Sequence, residues 1–187
     1  MVEKLSARVP GVSIRVLAIL LIGALCLPAV VAAQKAKTFD YSKNNFGIGG
    51  DMGLGIASSS VGAGFQWGAS VKLGLHKGFF LEPGFHMYVK SGGWDMCFDP
   101  APRYVLRFAK FPIHPYAGFG PALHIQHATI DNKGATKGRV GLQWGWGGEW
   151  VINKQFSVFN DYKYQLILGT PAPDIFTITV GAYFYLY

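Results

Sequence analysis

The chain is short of charge, of usable cysteine and of any apolar run long enough for a membrane helix. Charged residues make up 14% of its 187 positions, against about 25% in ordinary soluble domains. A conventional aqueous surface is hard to build from that stock. Of its two cysteines, Cys26 lies in the N-terminal apolar run, so beyond that run only Cys97 remains and no disulfide can close within the chain. The apolar run Val16 to Leu27 is broken by Pro28; about a dozen residues fall short of the roughly 20 needed to span a bilayer as a helix. No Gly-x-Ser-x-Gly, His-Glu-x-x-His or P-loop pattern occurs, and no repeat of domain size or Pro/Gly/Ser linker divides the chain. Basic residues outnumber acidic ones 17 to 10 but are scattered without a basic run. The excess therefore argues for solvated loops and internal pairing, not for a nucleic-acid partner.

The N-terminus has the order of a secretory signal. Lys4, Arg8 and Arg15 come first, the apolar run follows, and Val31-Ala32-Ala33 forms a small-residue cleavage site. Cleavage after Ala33 is expected, which makes 1–33 a signal peptide and 34–187 a single mature domain.

What the mature part has is alternation. Phe176, Ile178, Val180, Ala182, Phe184 and Leu186 fall on one face of the last stretch, with Thr177, Thr179, Gly181, Tyr183 and Tyr185 on the other. Successive side chains of a strand point to opposite faces, so this is a strand with one wholly apolar side. Seven more segments repeat the pattern, and the eight run roughly over 45–57, 64–76, 79–91, 103–113, 115–128, 138–152, 155–168 and 175–187. In the sixth, Val140, Leu142, Trp144 and Trp146 oppose Arg139, Gly141, Gln143 and Gly145. In the second, Phe65, Trp67, Val71 and Leu73 oppose Gln66, Gly68, Ser70 and Lys72. Lys110 and Asn160 interrupt the apolar faces of the fourth and seventh. An even count of strands about ten residues long is what an outer-membrane barrel requires. The connections at 57–63, 92–102, 129–137 and 169–174 read as long external loops, and those near 77, 114 and 153 as tight periplasmic turns. The expected fold is all-β: an eight-stranded antiparallel up-and-down transmembrane β-barrel, apolar face to lipid.

If the polar faces turn inward, Asp51, Glu82, Glu149 and Asp161 share the interior with Lys72, Lys90, Arg107 and Lys163. Buried charges persist only when paired, so an interior charge network is expected. Eight strands enclose a lumen just wide enough for side chains to fill, and Phe80, Tyr88, Phe159, Tyr183 and Tyr185 should occupy it. His86 and His124 fall on the same inward face and read as structural hydrogen-bonding groups. His124 and His127, three apart on a strand, lie on opposite faces and cannot chelate one ion. No catalytic residue, metal site or cofactor is therefore expected. Trp94, Met96 and Phe98, with the loops 92–102 and 129–137, are the candidates for external contact.

The signal, the eight alternations, the Phe119-Gly-Pro-Ala segment, the Asn160-Asp-Tyr-Lys-Tyr stretch and the terminal Val180-Gly-Ala-Tyr-Phe-Tyr-Leu-Tyr187 resemble the small bacterial outer-membrane β-barrel superfamily. Its members include the opacity-type proteins and the transmembrane domain of outer-membrane protein A. The resemblance covers essentially all of the mature chain. It implies residence in the bacterial outer membrane, contact with outer-membrane lipid and insertion by the barrel-assembly machinery. That machinery would read Gly181, Phe184 and Leu186; Tyr187 adds one residue beyond the expected final hydrophobe. The function expected is structural or surface-interacting through external loops, without an open pore. The alternatives are a lipid-modifying outer-membrane enzyme, of deacylase or acyltransferase type, and a narrow porin-like solute channel. The stretch Tyr164-Gln-Leu-Ile-Leu-Gly lacks the His-x-Ser pair of the barrel deacylases.

Overall fold

The computed structural model describes residues 46–57, 63–76, 78–106, 113–130, 133–169 and 174–186. Eight strands follow one another: β1 (Phe46–Ala57), β2 (Ala63–His76), β3 (Phe79–Lys90), β4 (Gly93–Val105), β5 (Ile113–Ile130), β6 (Lys133–Val151), β7 (Phe156–Ile167) and β8 (Ile175–Leu186). Each pairs antiparallel with its sequence neighbours, and β8 pairs back onto β1 from Phe46↔Leu186 to Ala57↔Ile175, closing a barrel. The expected signal peptide with its boundary at residue 33, Arg107, Lys110 and Tyr187 lie outside the described residues.

Alternation follows the sequence pattern. The side turned out carries Ile48, Met52, Trp67, Phe85, Phe119, Leu123, Trp146 and Phe184, all exposed, while Gln66, Ser70, Glu82, Gln143, Asp161 and Tyr185 on the opposite faces are buried. Exposed rings stack across strands on the outside, with Trp144 against Tyr164 at 4.6 Å and Trp146 against Tyr162 at 5.9 Å. A continuous apolar girdle of this extent has lipid, not water, as its solvent. Asn160 also faces out. Its side-chain oxygen accepts from the Gly148 amide at 3.0 Å, which supplies the polar group with a partner at that depth.

The fourth strand departs from expectation. The segment 92–102 is not a loop: β3 and β4 are joined by Ser91-Gly92 alone, and β4 occupies Gly93–Val105. Gly92 adopts φ 77°, a left-handed value that suits glycine in so tight a turn. Trp94, Met96 and Phe98 are consequently outward-facing strand residues, not loop residues, and Asp95, Cys97 and Asp99 point inward. The two aspartates and two prolines of this stretch mimic a loop in composition. The prolines do leave a mark, since the β3–β4 ladder runs unbroken through Pro100 and Pro102 while the β4–β5 register skips residues 99–102. Prolines have no amide to donate to that ladder.

The expected 129–137 loop is mostly strand as well. β5 and β6 pair from Ile113↔Trp150 up to Ile130↔Lys133. β4 accompanies β5 only as far as Ala128, and β7 meets β6 only from Gly141 on. The β5–β6 hairpin thus outruns its neighbours at the end opposite the β1 start.

Candidate functional site

The chemistry of this chain lies inside the barrel, where three groups of polar side chains occupy successive levels. Nearest the start of β1, Lys72 from β2 meets Glu149 from β6 at 2.5 Å. The same carboxylate accepts from Ser157 at 2.5 Å and from the Tyr185 hydroxyl. The Lys72 ammonium also lies 4.7 Å from the Phe80 ring and 5.0 Å from that of Tyr183, where ring quadrupoles favour a cation. Phe80, Val105, Tyr116, Phe159, Tyr183 and Tyr185 pack around this level as one buried cluster.

At mid-height the Arg103 guanidinium bridges Glu82 at 3.1 Å and Asp161 at 3.0 Å. Lys163 continues the chain to Asp161 at 3.6 Å and to Asp99 at 3.2 Å. His86 stands between Asp99 at 3.4 Å and Asp51 at 3.5 Å, and its Nε2 lies 2.9 Å from the Lys163 ammonium. Charges from β1, β3, β4 and β7 are thereby joined across the lumen. A void of ≈ 10 Å³ lined by Arg103, Gln143 and Lys163 interrupts the packing here, about the space of one water. The Gln143 side-chain oxygen, which has no partner among the described residues, is a ready acceptor for it.

The upper level combines Asp95 and Cys97 from β4 with His124 and Gln126 from β5. Asp95 contacts the His124 ring at 2.9 Å and accepts from Gln126 at 2.6 Å. Cys97 Sγ lies 3.8 Å from His124 Nε2 and 3.6 Å from the Gln165 amide nitrogen. Ala57, Tyr88, Ile167 and Ile175 form a second buried apolar cluster at this end.

Of the interior charges expected from sequence, Asp51, Lys72, Glu82, Glu149, Asp161 and Lys163 are buried on inward faces, and Lys90 is half-buried at the end of β3. Arg107 lies outside the described residues; the guanidinium that pairs with Glu82 and Asp161 belongs to Arg103. Arg103 shares the inward parity of Arg107 within 103–113 and was overlooked, whereas Asp95 and Asp99 were not legible as interior groups because they hung on the placement of β4. The alternation of Trp94, Met96 and Phe98 with Asp95, Cys97 and Asp99 was the signal that could have found the two aspartates. Phe184 and Leu186 face out and Gly181 faces in, where a β-carbon would run into the Phe159 ring and the Gly50 carbonyl. Trp94 stacks on His127 with ring centroids 5.5 Å apart, and His127 hydrogen-bonds Thr136 at 2.9 Å, away from His124.

A family model described as "Outer membrane protein beta-barrel domain" matches residues 22–184. Among solved structures, Neisserial surface protein A superposes with a TM-score of 0.67 at 15% identity, over 76% of this chain and 97% of that one. The N-terminal β-barrel domain of Pseudomonas aeruginosa OprF gives 0.61 at 15% identity, over 76% and 98%. Ail, the attachment invasion locus protein of Yersinia pestis, gives 0.54 at 12% identity, over 75% and 96%. These likenesses are of fold. No curated protein matches the chain at the level of sequence.

Proposed function

The chain belongs to the outer membrane protein beta-barrel domain family and is an integral protein of the bacterial outer membrane, and within that setting we propose a structural or surface-interacting role with neither an open pore nor a catalytic activity. The observation that carries the reading is the filled lumen. Glu149, Tyr185, Phe80, Asp161 and His124 are each 2% exposed or less, and they close the section level by level. Ions would have to break the Arg103 and Lys163 bridges to pass. Such buried pairs are strongly destabilised when one partner is removed, which favours a plug over a gate.

The surface for interaction is the β5–β6 hairpin where it outruns β4 and β7. The segment 133–140 carries Lys133, Lys137 and Arg139 and precedes the β6–β7 ladder, which begins at Gly141. With the chain ends on the periplasmic side, this tip stands on the outer surface. Two of the similar barrels are named for the cell surface or for attachment, which supports the same reading. Outer-membrane lipid is the solvent of the girdle, and the barrel-assembly machinery reads Gly181, Phe184 and Leu186 during insertion. Nucleic acid is no partner, since no basic run exists for it.

Two measurements test the proposal together. Planar-bilayer recordings should show no unitary conductance. Lipid A from cells with and without the protein should have the same mass spectrum. Steady conductance would replace the plug by a channel, and a loss or gain of an acyl chain would replace it by an enzyme.

A further inference from the structure

Above its turn-free stem the β5–β6 hairpin carries its cations on the inner side, and we propose that Lys90, Lys137 and Arg139 together form a docking surface for an extended anionic glycan. The inference rests on the surface-interacting reading above and gives that surface a partner. In sequence the three cations are scattered; the barrel brings them to one mouth. Across β5–β6, Lys137 pairs with Gln126 and Arg139 with His124, so both share the inward parity of the buried His124. Gln126 pairs in turn with Asp95, and Asp95 with Tyr88. Lys90 stands two residues further on, at the end of β3 and opposite Gly93. Lys137 is exposed, and Lys90 and Arg139 are half-buried.

The sign of the surface follows from what else lies there. Asp95 shares the inward face, but it is 2% exposed and accepts from Gln126. Asp174 is turned to the Tyr164 hydroxyl on the outer side, at 2.7 Å, and Asp131 lies outside the described residues. Among the described residues of this mouth, three cations over one buried carboxylate leave a positive surface, the complement of a polyanion.

The outer side of the same hairpin decides where the ligand comes from. Ile125, His127, Thr136 and Val140 face outward, and none is a lysine or arginine. Lipid phosphates surround a barrel on that side, so a lipid site would need its cations there. These cations turn over the lumen instead, toward a ligand arriving from solution.

Spacing decides the form of that ligand. Lys137 and Arg139 stand two residues apart on one strand, about 6.7 Å. Lys90 lies three strands from β6, about 14 Å along the wall. A single phosphate or sulfate cannot span the set, whereas a chain of repeated charges can. Level with Lys90 are Gly93, Ala128 and Ala135, which build no pocket for the aromatic anchors of a protein interface. A glycan bearing sulfate esters or uronates needs no such pocket, and the Gln126 side chain is at hand for its hydroxyls.

The test is isothermal titration of the refolded barrel, in neutral detergent, with dextran sulfate at two salt concentrations. Binding should be seen, should weaken as salt screens the charges, and should be absent with neutral dextran. Lys90→Gln, Lys137→Gln and Arg139→Gln should each weaken it about two- to fivefold, and the triple variant about ten- to a hundredfold. Lys154→Gln makes the same charge change between β6 and β7, at the other end of the barrel, and should leave binding as it was. Heat-modifiable gel migration establishes that each variant is folded. The proposal is overturned by no binding to the folded protein, or by equal weakening in Lys154→Gln. It is also overturned if polyglutamate or lipid A micelles bind as tightly as dextran sulfate. Failure here with bilayers and lipid A still silent leaves the filled-lumen reading standing, while steady conductance would remove that reading whatever the glycan result.

Discussion

Lys72 and Glu149, 77 residues apart in sequence, meet at 2.5 Å at the bottom of the lumen, with side chains 3% and 0% exposed. The pair ties β2 to β6 across the barrel. Truncating one partner leaves the other charge buried and uncompensated, at a cost of about 3–5 kcal/mol. Glu149→Ala and Lys72→Met should each show that loss in urea unfolding from lipid vesicles. The double variant should recover part of it, and additive losses would show that the two charges are not coupled.

Inward glycines set how closely strands approach. A β-carbon on Gly53 would lie 2.7 Å from the Thr179 α-carbon, which is backbone and cannot turn away. On Gly138 it would meet nothing within 4 Å. Gly53→Val should therefore fail to give the heat-modifiable folded form, while Gly138→Ala should refold as the parent does.

The outward face should respond to charge according to depth. Phe119 is 57% exposed near the middle of β5 and Leu186 ends β8. Arginine at a bilayer midplane costs about 2–4 kcal/mol, falling to about 0–1 near the interface. Phe119→Arg should destabilise the barrel in vesicles by the larger amount and Leu186→Arg by the smaller. Equal losses would contradict the girdle.

The reassigned fourth strand makes its own prediction. Spin labels at 96 and 98 should be quenched by lipid-soluble oxygen, and those at 97 and 99 should be shielded. Native Cys97 should resist maleimide in the folded barrel and react after boiling. Labelling of Cys97 in the folded state, or uniform exposure from 94 to 99, would restore a loop there.

Most of the fold was readable because period-two alternation leaves little freedom: the faces of 64–76, 115–128 and 138–152 follow directly from where Trp67, Phe119 and Trp144 fall. β4 was not, because its local chemistry argues the other way. Asp95, Asp99, Pro100 and Pro102 are loop residues by propensity, and only partners far along the chain, Gln126 for one aspartate and Lys163 for the other, make an inward strand position tolerable. The interior site inherited that blind spot. Lys72, Glu149 and Lys163 could be placed inside from parity alone, but Arg103 was overlooked and Asp95 could not be set against His124 until the strand moved. The length of the β5–β6 hairpin was hidden for a related reason, since Gly134 to Gly138 carry no large apolar side chain to mark a face.

The seam between β1 and β8 bears on kinetics. Phe46 and Leu186 are neighbours in the closed barrel yet belong to its first and last strands. Contacts of such separation form late and slowly. Until the eighth strand has been delivered, every partial sheet has two open edges that can pair with other chains. The rate at which β8 finds β1 therefore sets how long this protein must be shielded before it can live unaided in lipid.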